Sequence, residues 1–273
     1  RNMRFAINSN LCPTKPKIFE RLIEKSWIVP NLEIYTSMEA TKHQAEYIRD
    51  GLDYDYWKEN IHTVLKKGNI KKMHMMMTIN SLCLTTITEF MEEMLDLRDE
   101  YGQRAPTMSL NILRFPSFQS AAILPEHIKT FYKDKLQRWF DTDRAKQNLH
   151  DGEKASVQRL IDYLDIVKTP HKNTAETPKL YNDFKAFFEQ YDIRRGKNFR
   201  ETFKGPIADW YDTLSAEVPS EQDIMNKKET IKIYNRAGDP ATTEGYEGGD
   251  DAHEVGGWDT KTDALGGVKV GGQ

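Results

Sequence analysis

Over its first 115 residues the chain alternates short apolar runs with amphipathic helical ones, and this order restricts the folds open to it. Met3–Asn8, Leu32–Thr36, Lys72–Ile79 and Met108–Phe115 read as strands. Between them, Lys17–Trp27, Tyr54–Lys67 and Thr85–Tyr101 carry apolar residues at helical spacing: Ile18, Phe19, Leu22 and Ile23; Trp57, Ile61, Val64 and Leu65; Ile87, Phe90, Met91, Met94 and Leu95. Gly68 is placed to end the second helix. Strands separated by helices at this spacing form βα units with a parallel sheet. Four strands cannot close an eight-stranded barrel, so the expectation is an open or partial barrel.

Each strand runs into polar residues: Asn8, Ser9 and Asn10; Ser37 and Glu39; Thr78 and Asn80; Arg114. The carboxyl edge of a parallel sheet is where such folds bind ligands. The first run, Arg4–Asn8, reads as a buried strand, and a buried parallel strand needs neighbours on both sides. Nothing before Arg1 supplies one, so the recorded chain is expected to begin inside a domain.

From residue 121 the pattern becomes helical. Pro125–Phe140, Glu153–Val167, Tyr181–Tyr191 and Pro206–Leu214 are the expected helices, with Pro170 and Pro178 bracketing a polar loop. Residues 216–273 are expected to form a flexible acidic tail. From Ala237 onward the chain holds ten of its 16 glycines and eight acidic residues against two lysines. So little apolar surface cannot offset an ordering cost of roughly 1–2 kcal/mol per residue. The proposed division is 1–120, 121–215 and 216–273.

Charge and cysteine content exclude several classes. The net charge of −3 leaves the body only weakly basic once the tail is set aside, which gives no argument for nucleic-acid binding. Two cysteines, Cys12 and Cys83, exclude a disulfide framework and fit a reducing, cytoplasmic compartment. No apolar run approaches the roughly 18 residues of a membrane span, and no signal peptide opens the chain.

The segment with most chemical potential is Ser37-Met-Glu-Ala-Thr-Lys-His-Gln-Ala-Glu-Tyr-Ile-Arg49-Asp-Gly51. It starts at a strand's carboxyl end. A hydroxyl, a carboxylate and an arginine twelve residues beyond the serine can serve one small zwitterion: Arg49 for a carboxylate, Ser37 as donor or acceptor, Glu39 for an ammonium or ribose hydroxyls. The plainer reading is a helix N-cap and a surface charge. Asn80 is open to two readings, a cap on the next turn or a ligand contact. Arg194-Arg195-Gly196 is either an anion site or a solvated helix end. The histidines show no zinc-type spacing, and no glycine-rich phosphate loop follows any strand.

This segment resembles an element of radical S-adenosylmethionine enzymes, in which the fourth barrel strand ends in Ser-Leu-Asp-Gly and an Arg-Gly follows about twelve residues after the serine. Here the four residues are Ser-Met-Glu-Ala. Phe5-Ala-Ile-Asn-Ser-Asn10 is similar to the third strand, His74–Asn80 to the fifth, and Asn111-Ile-Leu-Arg-Phe115 to the sixth, which approaches the adenine. Phe188–Gly196, with Phe199 and Pro206, resembles the C-terminal part of twitch-domain members, including phage-encoded ones. The resemblance spans about residues 3–214.

It implies an α/β fold, a partial TIM-like radical S-adenosylmethionine barrel followed by a helical, twitch-like region. It implies S-adenosylmethionine contacts at Asn10, Ser37, Glu39, Arg49, Asn80 and Leu113. It further implies reductive cleavage of S-adenosylmethionine at a [4Fe–4S] cluster, a flavodoxin- or ferredoxin-type reductant, and a peptide or protein substrate. The family's Cys-x3-Cys-x2-Cys loop is missing from this sequence, so cluster ligands are expected upstream of Arg1 and the segment alone is expected to be inactive. It assigns no catalytic residue. No cysteine follows Cys83, which argues against an auxiliary cluster here. The alternative reading is a non-catalytic binding or scaffold module built on the half-barrel.

Overall fold

The computed structural model describes residues 3–166 and 176–216. The expected tail from 217 onward, Val167 and Pro170 lie outside them. The described residues form an α/β structure around a four-stranded, all-parallel sheet.

The elements alternate as the apolar spacing requires. Strand β1 (Phe5–Asn8) is followed by α1 (Pro16–Ser26), β2 (Leu32–Ser37), α2 (Lys42–Ile48) and α3 (Tyr54–Lys67). Then come β3 (Lys72–Ile79), a 3₁₀ turn (Cys83–Thr85), α4 (Ile87–Tyr101) and β4 (Thr107–Ile112). The spatial order is β1-β2-β3-β4. With right-handed crossovers, a sequential parallel order puts the connecting helices on one face of the sheet. Exposure follows that arrangement. In β3, Met73, Met75, Met77 and Ile79 are buried, while Lys72, His74, Met76 and Thr78 between them are exposed or half-buried.

Asp53 starts α3 by accepting from the Tyr56 N–H at 2.9 Å, an N-cap. Gly68 ends it in extended backbone at φ −76° rather than in the left-handed region. Glycine is needed there because a Cβ would lie 2.7 Å from the Val64 carbonyl oxygen.

The helical part comprises α5 (Glu126–Phe140), α6 (Asp143–Asn148), α7 (Asp151–Ile166), α8 (Glu176–Arg195), α9 (Phe199–Thr202) and α10 (Pro206–Thr213). One hydrophobic core runs through both parts, from Leu11 to Tyr211. Among the described residues, no helix is long and apolar enough to cross a membrane.

Several elements depart from the sequence reading. β1 is mostly exposed rather than buried, because it is the edge strand and β2 is its one partner among the described residues. Ile18, grouped on one apolar face of α1 with Phe19, Leu22 and Ile23, is 57% exposed. β4 ends at Ile112, before Phe115, which is 62% exposed. α8 reaches from Glu176 to Arg195, so Pro178 sits in its first turn, where a missing N–H costs no hydrogen bond. The short helices α2, α6 and α9 have no clear apolar period in the sequence.

Candidate functional site

The polar strand ends gather at the carboxyl edge of the sheet. Ser37, half-buried, is the last residue of β2 and pairs with Met76. The chain continues alongside β3, with the Met38 N–H donating to the Met76 carbonyl at 3.2 Å. Glu39 is then 2% exposed.

Helix α2 returns the chain to this point. Arg49, its C-cap residue, donates from Nη2 to Glu39 Oε2 at 2.5 Å. The Thr78 N–H of β3 also reaches Glu39 Oε2, at 3.4 Å. Burial pushes the Glu39 carboxyl above its ordinary range, although Arg49 and the Thr78 N–H both pull it down. Arg49 Nε is buried with no hydrogen-bond partner. The pair therefore neutralises itself while leaving one guanidinium donor unused.

The C-terminal helices hold α2 in place. Tyr47, 2% exposed, donates its hydroxyl to Asp192 Oδ1 at 2.7 Å, and the Tyr191 hydroxyl donates to the Tyr47 carbonyl at 2.7 Å. Asp192 Oδ2 accepts from the Phe199 N–H at 2.8 Å. Tyr47 packs edge-on to Phe199 and Phe203, with ring centroids 5.9 and 5.0 Å away. Gln44 donates to the Thr202 carbonyl, Lys197 to the Glu46 carbonyl, and Arg195 pairs with Asp50 at 2.9 Å. The position of Arg49 is thus set by α8, α9 and the segment between them.

Asn80 acts as a cap. Its Oδ1 accepts from the N–H groups of Leu82 and Cys83, both at 2.9 Å, and its Nδ2 donates to the Thr78 carbonyl at 3.2 Å. Asn10 Oδ1 accepts from the Cys12 N–H at 3.1 Å in the loop after β1. The Leu113 N–H donates to the Ile79 carbonyl at 2.9 Å, prolonging the β3–β4 ladder by one residue. Glu39 and Arg49 touch each other at the β2 tip. Asn80 stands at the β3 tip, Leu113 just beyond β4, and Asn10 after β1.

Cys83 is fully buried, and burial pushes its thiol strongly up. Its sulfur accepts from the Asn80 N–H at 3.3 Å. Cys12 is a second free thiol. Among the described residues, no three histidine, cysteine, aspartate or glutamate side chains converge as a metal site. The chain's two cysteines, one of them fully buried, do not fit the four-thiolate ligand set of a [4Fe–4S] cluster.

Two features escaped the sequence reading. Ser81, next to Asn80, is fully buried, and its hydroxyl has no hydrogen-bond partner. On the sheet face opposite the helices, Arg4 pairs with the buried Glu33 of β2, and Tyr35 stacks on His74 at 4.4 Å. His74 Nδ1 lies 2.9 Å from Thr107 Oγ1. Strand alternation does place Glu33, Tyr35 and Ser37 on one face; the polar run that would flag a cluster is spread over three strands. Compared with known proteins, the chain matches no family model, no curated protein and no solved structure.

Proposed function

We propose that this chain is the C-terminal portion of a radical S-adenosylmethionine enzyme, a partial TIM-like barrel whose β2 tip contacts S-adenosylmethionine. The observation that carries the reading is the meeting of Glu39 and Arg49 beside Ser37, with Arg49 Nε buried and unpaired, at the carboxyl edge of a sequentially ordered parallel sheet. That edge is where βα folds bind ligands. In this reading Ser37 and Arg49 meet the amino-acid or ribose part of S-adenosylmethionine. Glu39 holds the guanidinium. A [4Fe–4S] cluster, if held by residues outside this sequence, would supply the electron for cleavage, and the residues described here would orient and shield the nucleoside. A reducing, cytoplasmic setting, a flavodoxin- or ferredoxin-type reductant and a peptide or protein substrate belong to the same proposal.

A non-catalytic binding or scaffold module is the second reading. It is favoured by the closure of the Glu39–Arg49 pair and by the use of Asn80 as a cap.

The test has two arms. Titration calorimetry with S-adenosylmethionine on the purified chain is expected to give saturable binding that R49A removes. The coding sequence upstream of Arg1 is expected to contain Cys-x3-Cys-x2-Cys in frame. No saturable binding together with no such triad would overturn the family reading and leave the module.

A further inference from the structure

A second cluster of chemical groups stands at the amino edge of the sheet, opposite the edge that carries Glu39 and Arg49. Strand register sets Tyr35 beside His74 and His74 beside Thr107, on the face away from the helices. Thr107 Oγ1 lies 2.9 Å from His74 Nδ1. On the other side of the ring, His74 Nε2 faces Oε2 of the buried Glu33 at 3.6 Å, just beyond hydrogen-bond length. Tyr35 stacks on the imidazole at 4.4 Å and fixes its plane. A hydroxyl beside a base that a third group orients is the arrangement of nucleophilic acyl transfer.

Charge selects the tautomer. Arg4 Nε donates to Glu33 Oε2 at 2.8 Å, and Lys71 Nζ lies 3.9 Å from Oε1, so two cations keep the carboxylate ionised. His74 Nε2 is buried with no hydrogen-bond partner among the described residues, which leaves the carboxylate to orient it through charge. A carboxylate facing Nε2 favours the proton on that nitrogen and leaves Nδ1 to accept from the Thr107 hydroxyl. Burial holds the imidazole below its ordinary value, against the pull of Glu33, which keeps it an uncharged base near neutral pH.

The cluster opens on a cleft. Thr107 and Lys72 line a cavity of about 630 Å³, in the size range of small-molecule sites. Its walls also include Gln103 after α4, Gln147 of α6 and His150 before α7, polar side chains that suit a polar substrate. Lys72 precedes His74 by two residues and shares its face of β3, so its ammonium stands where negative charge would develop beside Thr107.

We propose that this cleft hydrolyses a small polar carboxylic ester, with Thr107 as nucleophile and His74 as general base. Thr107 Oγ1 bonds to the ester carbonyl carbon while its proton passes to His74 Nδ1. The C–O bond to the alcohol breaks, the alcohol leaves with that proton, and the acyl group stays on Thr107. Water then adds to the acyl carbon and gives a proton to His74, which returns it to Thr107 Oγ1 as the carboxylic acid departs. One ester and one water thus give one acid and one alcohol. Glu33 is a positioning residue, since it faces the imidazole and not the reacting atoms. The proposal goes beyond the β2-tip reading and does not depend on it, because the two sites lie at opposite edges of the sheet.

Hydrolysis of p-nitrophenyl acetate by the full chain tests it. Release of p-nitrophenolate is expected to exceed that given by free imidazole at the same concentration, with an acetyl group located on Thr107 by peptide mass spectrometry after an acid quench. T107V keeps a strand-forming shape without the hydroxyl, and is expected to lose the label and at least about tenfold in rate. H74Q is expected to lose about a hundredfold or more, the scale of a general base. T107S is expected to keep both the rate and a label at position 107, which separates loss of the nucleophile from loss of folding. E33Q is expected to lower the rate and to move the acidic limb of the pH–rate profile to lower pH, because Glu33 favours the imidazolium while Lys72 and Arg4 oppose it. A rate no higher than free imidazole, no label on Thr107, or T107V or H74Q keeping more than about a tenth of the rate overturns the proposal. An E33Q limb that stays in place overturns the role given to Glu33.

Discussion

The two margins of the sheet are built in opposite ways. At β4, helix α7 lies along the edge and covers its backbone. Glu153 Oε1 accepts from the Met108 N–H at 2.7 Å, and Arg159 Nη2 donates to the Leu110 carbonyl at 2.6 Å. Glu153, 3% exposed, is held by Arg98 through both oxygens, at 2.9 and 2.8 Å, and also accepts from the His150 N–H. At β1, Phe5 is 39% and Ile18 57% exposed, and Trp27 and Ile28 nearby in sequence are more so. A parallel sheet gains stability where its edge groups and apolar face are both covered. The difference teaches that the stability of this sheet is concentrated on its β4 side, while the β1 side contributes apolar surface that the described residues leave in water.

Five experiments test that contrast. The largest effect is expected from E153A, which strands Arg98 and uncovers the Met108 N–H. Breaking a buried pair of this kind costs about 3–5 kcal/mol, to be read by urea denaturation; a loss under 1 kcal/mol would refute the concentration of stability at β4. L160A, in the fully buried face of α7, is expected to cost about 2–5 kcal/mol in the same assay.

The pH dependence follows from the same carboxylate. Burial alone would raise Glu153, but the Arg98 guanidinium and the Met108 and His150 N–H groups hold it below its ordinary value of 4.5. Its folded-state affinity for protons is therefore lower than in the unfolded chain. The stabilisation is present above the unfolded value and is lost as pH falls through the lower folded one. Denaturation midpoints are expected to drop on acidification below about pH 4.5, the ordinary carboxyl value, and E153Q to flatten that fall. An unchanged slope in E153Q would assign the acid sensitivity elsewhere.

The smallest effects belong to β1 and to the α1 segment that follows it. I18K and I28K are expected to change stability by no more than about 0.5 kcal/mol, as exposed positions do. By hydrogen exchange, the amides of Phe5–Asn8 are expected to exchange faster than those of Thr107–Ile112. Equal protection of the two strands would remove the asymmetry.

Much of the fold is legible in the residues. The run Tyr54–Lys67 has its apolar positions at 57, 61, 64 and 65, all of which are buried. Lys72–Ile79 reads as an apolar strand and forms β3 with those limits, its burial alternating from residue to residue. α2 was not legible because its seven residues are too short to show a period, and it is fixed by Tyr47 among the rings of α8 and α9. The site was legible as a set of polar strand ends, and no further. Asn80 caps a turn through partners two and three residues away, while the adjoining Ser81 is fully buried with its hydroxyl unpaired, a burial that no local pattern announces.

The order of apolar periods by itself determined the βα alternation and the parallel sheet, since strand and helix bury their faces with periods of two and 3.6 residues and those periods are properties of the chain. Only the tertiary structure decided which margin is covered, that Arg49 closes onto Glu39, and that His74 of β3 meets Thr107 of β4. Those outcomes depend on contacts between residues 10 to 150 positions apart, whose energies exist only once the elements have packed.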